Sequence, residues 1–297
     1  MSVVDERRCG RAALVGRPNV GKSTLLNALV GEKLSIVSRR AQTTRHRIIG
    51  IRTTTDTQYV FVDTPGFQTR YANALNQSMN RGVRRALAEV DVVLLVVEAC
   101  RYDDRDRVVR QLVSPSCPVI VVVNKIDLLK DKARLLPFLG EIAASGDFAA
   151  IVPVSATRGT QLEELLFETR QCLPQGDFVF DEDELTDRSE RFLAGEFVRE
   201  KLFRLIGDEL PYTATVDVER FVEEGRLRRI SVAIVVDRES HKPIVIGKGG
   251  ETVRRIASEA RRDMEQLFAG PVFLEVFVKV KTGWTGDERL LKTLGYE

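Results

Sequence analysis

From Arg11 to Cys172 short apolar runs alternate with amphipathic stretches. Residues 12–15, 59–62, 92–97, 119–123 and 151–154 are nearly continuous in apolar, β-branched character, as strands covered on both faces of a mostly parallel sheet have to be. Between them, residues 22–29, 77–88, 104–112, 131–143 and 161–172 repeat apolar positions at helical spacing. This alternation predicts a doubly wound α/β domain, with 48–52 as a candidate edge strand. The rhythm then changes. Val198, Leu202, Leu205 and Ile206 mark a helix, and Ala214, Val216 and Val218, then Ile230, Val232, Ile234 and Val236, alternate as strands do. A short apolar segment is followed by a longer helix, whose one face carries Val253, Ile256, Ala257, Ala260, Met264, Leu267 and Phe268. A last strand follows, with Val272, Leu274, Val276, Val278 and Val280 on one side. The second half therefore reads as a smaller α+β domain.

Composition narrows the chemistry. Apolar residues make up 43% and charged residues 30% of the 297, the balance of a folded soluble protein. The longest apolar runs, 92–97 and 119–123, are too short to span a bilayer, and Asp5, Glu6, Arg7 and Arg8 argue against a secretory signal. Cys9, Cys100, Cys117 and Cys172 lack paired spacing and read as reduced thiols. With only His46 and His241 available, neither a histidine-rich metal centre nor a Ser-His-Asp triad is expected. The net charge of +2 conceals a division: residues 1–180 carry 25 basic and 19 acidic side chains, whereas 181–297 carry 20 and 24. The acidic excess lies in Asp181, Glu182, Asp183, Glu184, Asp187 and Glu190, just after Pro174, Gln175 and Gly176 end a helical pattern. A solvated linker over 175–190, between domains at 8–174 and 191–297, is the simplest reading.

The strongest motif is Gly16-Arg17-Pro18-Asn19-Val20-Gly21-Lys22-Ser23, followed by Thr24, between a predicted strand and helix. Its glycines let backbone amides turn towards phosphate oxygens, Lys22 would reach the β- and γ-phosphates, and Ser23 would ligate Mg²⁺. Asp63-Thr64-Pro65-Gly66 ends the second buried run, where Asp63 can hold Mg²⁺ through water and the Gly66 amide can meet the γ-phosphate. Asn124-Lys125-Ile126-Asp127 follows the 119–123 run. Asp127 can accept from guanine N1–H and N2–H₂, for which adenine has no counterpart, while Asn124 supports the ring and Lys125 covers one face. Ser155 and Ala156, after the last strand, offer backbone to the guanine O6. Within Ala41-Gln42-Thr43-Thr44-Arg45, Thr44 is the first choice for the metal-approaching hydroxyl and Thr43 the competitor. Lys22, Thr44 and Gly66 are the groups expected to act at the γ-phosphate.

These motifs, in this order, resemble the translation-factor-like GTPases, and more closely the Era family. The phosphate loop, Gln42-Thr43-Thr44-Arg45-His46-Arg47-Ile48, Asp63 to Gly66, Asn124 to Asp127 and Val154-Ser155-Ala156 cover the first domain; segments 199–221, 245–250 and 278–296 extend the likeness almost to the end of the chain. The resemblance implies a Ras-like G domain followed by a type II KH domain, with GTP or GDP and Mg²⁺ as ligands. It also implies binding to the 3′ end of 16S rRNA, a role in maturation of the 30S subunit, and a cytoplasmic location with peripheral contact at the inner membrane. A monomer is expected. Phe67 stands where Ras-type enzymes carry the glutamine that orients water, so slow intrinsic hydrolysis is expected. Asn19 matches the asparagine that binds K⁺ in related GTPases; its competing reading is a turn residue after Pro18.

In the second domain, Gly247-Lys248-Gly249-Gly250 has the form of the G-x-x-G loop with which KH domains hold a nucleic-acid backbone. Ile246, Gly247, Lys248, Gly249, Gly250 and Arg254 are the candidate RNA contacts, within a stretch that also holds Lys242, Arg255, Arg261 and Arg262 against Glu251 and Glu259. Ile244 and Ile246 suit either an apolar floor for bases or core packing. Two other functions remain open from sequence: a non-catalytic, GTP-dependent RNA-binding adaptor, and a P-loop ATPase or kinase, the latter opposed by Asn124-Lys125-Ile126-Asp127.

Overall fold

The computed structural model describes residues 7–38, 40, 43–67, 74–207 and 210–283. Arg39, Ala41, Gln42 and the family-like residues 208–209 and 284–296 lie outside them. Two compact units form: the second takes the chain from Arg188 onward together with Ile36–Thr43 and the stretch ending at Ser78, so the helix Ala74–Ala88 starts in the second unit and continues from Met79 in the first.

In the first unit the elements run β1 (Arg8–Val15), α1 (Lys22–Val30), β2 (Ile48–Thr53), β3 (Thr57–Asp63), α2 (Ala74–Ala88), β4 (Val92–Glu98), α3 (Asp104–Gln111), β5 (Val119–Asn124), α4 (Leu135–Ala144), β6 (Ala150–Pro153) and α5 (Leu162–Cys172). The sheet order is β2-β3-β1-β4-β5-β6, with β2 antiparallel to β3 and every other pairing parallel. Burial on both faces explains the unbroken apolar runs. Val93, Leu95 and Val97 pack with Val83 and Leu87 of α2, Val109 of α3 and Phe138 and Ile142 of α4, whereas α1 and α5 lie on the other side. The carboxyl ends of β1, β3 and β5 therefore open on one edge, where the three nucleotide motifs follow them.

Two departures from the sequence pattern have local causes. The helix expected from 131 starts at Leu135, after a 3₁₀ turn Lys132–Arg134 whose entry is capped by the Asp131 side chain accepting from Ala133 N. Pro137 is acceptable in the first turn of a helix but not further in, so an earlier start is excluded. The acidic segment is not a free tether. Buried Gln58 of β3 accepts from Val179 N and Phe180 N and donates to Phe180 O, Ile51 N donates to Leu185 O at 2.8 Å, and Phe180 packs on Ile49, Ile51 and Val60. The charged side chains face solvent while the backbone lies along the edge strand.

The second unit has α6 (Glu190–Leu205), β7 (Ala214–Glu224), β8 (Leu227–Val236), α7 (Lys242–Ile246), α8 (Glu251–Leu267) and β9 (Val272–Val280). β8 is central, antiparallel to β7 and parallel to β9. Ile230, Val232, Ile234 and Val236 meet Phe197, Val198 and Leu202 of α6 and Ile256, Ala260 and Met264 of α8 in one core. Helix α6 also buries charge: Arg199 pairs with Glu196 at 2.5 Å, and Lys201 with Glu200 at 3.0 Å and Asp263 at 2.5 Å. In the same unit, Arg199 donates to Thr43 O at 2.6 Å and Val37 N to Glu200 at 3.0 Å.

Candidate functional site

The phosphate loop leaves β1 through Gly16 and enters α1 through Gly21, whose φ of 100° no side-chain-bearing residue adopts easily. No side chain caps the start of α1, so its first amides remain available to an anion. Buried Lys22 donates to Gly16 O at 3.1 Å and Arg17 O at 2.9 Å, spanning the hollow of the loop. Burial lowers its pKa to about 8, and Asp63 pulls it back up. A polyphosphate in the loop would give this ammonium a stronger partner than two carbonyls. Gly66 approaches so closely that a Cβ there would stand 2.9 Å from Pro18 N, which is why the β3 turn can bring its amide to the loop only as glycine. Thr64 fixes that turn by donating to Leu14 O at 2.8 Å.

Asp63, fully buried at the end of β3, gathers hydroxyls. Ser23 donates to its Oδ2 at 2.7 Å, Ser35 does so at 2.7 Å, and Thr44 lies 3.4 Å from it and 2.7 Å from Ser23. Asp63 Oδ1 is buried with no hydrogen-bond partner. Burial pushes the carboxyl up; Lys22 and the hydroxyls pull it down. An all-oxygen set with an orphaned buried carboxylate oxygen suits a hard divalent cation, so Ser23, Thr44 and Asp63 fit Mg²⁺. Thr43 is directed elsewhere, donating to Arg40 O at 2.7 Å and meeting Ser38 at 2.6 Å. Of the two threonines, Thr44 is the one that lies beside Ser23 and Asp63.

Asn124 ties three loops together. It donates to Val20 O at 2.9 Å and accepts from Ala156 N at 3.1 Å. Asp127 accepts from Ser155 Oγ at 2.6 Å, and Lys125, at φ 69°, pairs with Glu98 at 3.4 Å. The Ala156 amide expected to meet guanine O6 is therefore engaged by Asn124, and Ser155 N donates to Thr160 O. Two phosphate-loop side chains also stand apart from the hollow. Arg17 is buried and turns to Asp106 at 2.8 Å, Asp103 at 3.1 Å and Arg101 O at 3.1 Å, so it braces the loop against the start of α3. Asn19 is exposed at φ 66°, a conformation asparagine tolerates well. Pro18, within the loop, and Thr24, just after it, are both half-buried. Phe67, half-buried, packs against the apolar layer formed with α2 to α4.

Ser35 and Asn27 are the residues sequence reasoning missed. A serine and an asparagine in a segment without fixed spacing carry no pattern; their roles come from a loop folding back onto α1.

In the second unit, loop 247–250 joins α7 to α8 with Gly247, Gly249 and Gly250 all at positive φ. A Cβ on Gly247 would meet Thr252 Oγ1 at 2.2 Å, whereas Gly249 faces open space. Lys248 is exposed, Ile244 is 53% exposed and Ile246 half-buried. No side chain caps α8, so its first amides point at the loop. Arg254 folds back to donate to Gly249 O, bracing the loop as well as charging it. Arg255 pairs with Glu259 and Arg261 lies near Glu265 along the exposed face of α8. Among the described residues no group of three or more His, Cys, Asp or Glu side chains is arranged to hold a metal, and no helix is long and apolar enough to cross a membrane.

A phosphate loop, a carboxylate at the end of β3 and Asn124 to Asp127 after β5 define a P-loop GTPase of the guanine-selective kind, here followed by a KH-type fold. Residues 11–125 match the 50S ribosome-binding GTPase family and 209–285 the KH domain family. The chain is 54% identical to GTPase Era of Nitrosomonas eutropha and 55% identical to that of Bordetella pertussis, each over 98% of both chains. It belongs to the Era family of GTPases, which favours an enzyme over a non-catalytic adaptor. A solved Era in complex with MgGDPNP and nucleotides 1506–1542 of 16S ribosomal RNA superposes with a TM-score of 0.93 at 38% identity, covering 98% of this chain and 99% of that one. An Aquifex aeolicus Era variant bound to GDP and AlF₄⁻ matches with the same TM-score at 37% identity, covering 97% and 99%.

Proposed function

We propose that this GTPase binds GTP with Mg²⁺ in the first unit and the 3′ end of 16S rRNA in the second, acting in maturation of the 30S subunit. Ser23 and Thr44 would hold the metal directly and Asp63 through water; the ion supplies positive charge at the β- and γ-phosphates. Lys22 and the Gly66 amide neutralise charge that builds on the γ-phosphate. Asp127 selects guanine. With Phe67 in place of a water-orienting glutamine, intrinsic turnover is slow, and Asn19 is the proposed K⁺ contact; equal turnover in K⁺ and Na⁺ would remove that assignment. The GTP-bound state grips RNA and hydrolysis releases it. Peripheral contact with the inner membrane is proposed from family likeness alone.

The observation that carries the RNA reading is loop 247–250. It is exposed and lysine-bearing, its glycines admit a sugar-phosphate backbone, and a solved relative holds a 16S rRNA fragment. The test is crosslinking of the GTP- and GDP-bound forms to cellular RNA. Sites at the 3′ end of 16S rRNA, enriched with GTP, are expected; scattered sites indifferent to nucleotide would overturn it. The double variant Lys248→Asp/Gly249→Asp should lose RNA binding by at least about tenfold while GTP turnover is kept.

A further inference from the structure

We propose that Ser35, clamped by Asn27, is a positioning residue that sets the orientation of the metal-shell carboxylate Asp63. This rests on the Mg²⁺ reading above and extends it to two residues outside the phosphate-loop, Asp63 to Gly66 and Asn124 to Asp127 motifs.

Asn27 lies one turn beyond Ser23 on α1, so the helix presents the metal ligand and the clamp on one face. Its Oδ1 accepts from Leu34 N at 3.0 Å and Ser35 N at 2.8 Å, and its Nδ2 donates to Ser35 O at 2.7 Å. Both backbone polar groups of Ser35 are thereby held by one side chain. Leu34 and Ile36, 1% and 0% exposed, anchor the loop on either side. Ser35 is itself fully buried, and its hydroxyl reaches Asp63 Oδ2 at 2.7 Å.

The consequence lies in what happens to Asp63 when other hydroxyls change partner. Ser23 and Thr44 have metal-facing roles, and a hydroxyl oxygen turned to a cation no longer spends its proton on Oδ2 in the same geometry. Ser35 has no such second task. The terminal torsion of an aspartate is soft, so a carboxylate with no fixed donor samples a broad range. Ser35 holds Oδ2, and Oδ1, without a partner in this structure, is the oxygen left to meet metal-bound water. A neutral donor does this without competing with the cation for charge.

The test follows release of a fluorescent GDP analogue from the full chain across a Mg²⁺ titration, with release in EDTA as the metal-free reference. Ser35→Ala and Asn27→Ala should each raise the Mg²⁺ midpoint roughly tenfold while release in EDTA stays within about twofold of the parent. The double variant should be little worse than the stronger single one, because both act through one hydroxyl. Ser35→Cys keeps the buried volume with a weak donor and should show the same shift, which guards against a misfolded alanine variant. A midpoint unchanged in both Ser35 variants, or losses as large in EDTA as in Mg²⁺, would overturn the proposal. A parent whose release ignores Mg²⁺ would instead overturn the metal reading beneath it.

Discussion

At the scale of single residues, the site is a set of buried polar groups whose partners are chosen by geometry more than by charge. Arg17 shows this most clearly. A phosphate-loop arginine invites the reading of a phosphate ligand, yet it pairs with fully buried Asp106 and with Asp103. Burial pushes the Asp106 carboxyl up while Arg17 opposes it, and Asp103 is held well below the usual carboxylate range, mainly by Arg105. Removing Asp106 leaves a buried guanidinium short of its best partner. Asp106→Ala is expected to lower stability by about 3 kcal/mol in urea unfolding and to speed nucleotide release, since the loop loses its brace. Loss of stability without faster release would mean that α3, not the loop, depends on the pair. Asp127→Asn should shift preference from GTP to xanthosine triphosphate in competition binding. The motif residues were legible because their spacing is tied to backbone geometry after a strand. Arg17's partners and the Ser35 contact were not, since residues far apart in sequence meet there only through the fold.

At the scale of elements, the strands were legible from buried, β-branched runs, and the errors fell where a local rule or a tertiary contact intervened. Pro137 delayed α4. Helix α6 carries Glu196, Arg199, Glu200 and Lys201 on buried surface, against any polar-outside reading, because each finds a partner within the second unit. The acidic segment after α5 keeps its charged side chains towards solvent, as its composition predicts, while its backbone pairs with β2 and β3 through Gln58, Ile51 and Leu185. Charge patterning reports the side chains, whereas docking here uses the main chain. Gln58→Leu removes three of those hydrogen bonds and should speed tryptic cleavage at Arg188 several-fold while nucleotide binding is retained. Unchanged cleavage would mean that Phe180 and Leu185 suffice to hold the segment.

At the scale of the whole molecule, the two units hold separate hydrophobic cores and so have separate grounds for stability. Calorimetry should resolve two transitions, and GDP at 100 times its dissociation constant should stabilise the first unit alone by about 2.7 kcal/mol. Ile256→Ala, in the core of the second unit, should lower only the other transition. A nucleotide-induced rise in both would show that the units melt as one. The weak net charge also resolves at this scale, into a basic first unit and an acidic docked segment. Lys248 stands in an exposed loop of a nearly neutral second unit. The segment Ile36–Thr43, gripped at Val37 and Thr43 by Glu200 and Arg199, bears on how such a chain is inherited. A crossover near residue 188 that imported a different second half would bring an α6 unmatched to the segment just ahead of Thr44. The two halves are therefore expected to pass between lineages as one block, their substitutions constrained together even where a plain reading of domains would let them be shuffled.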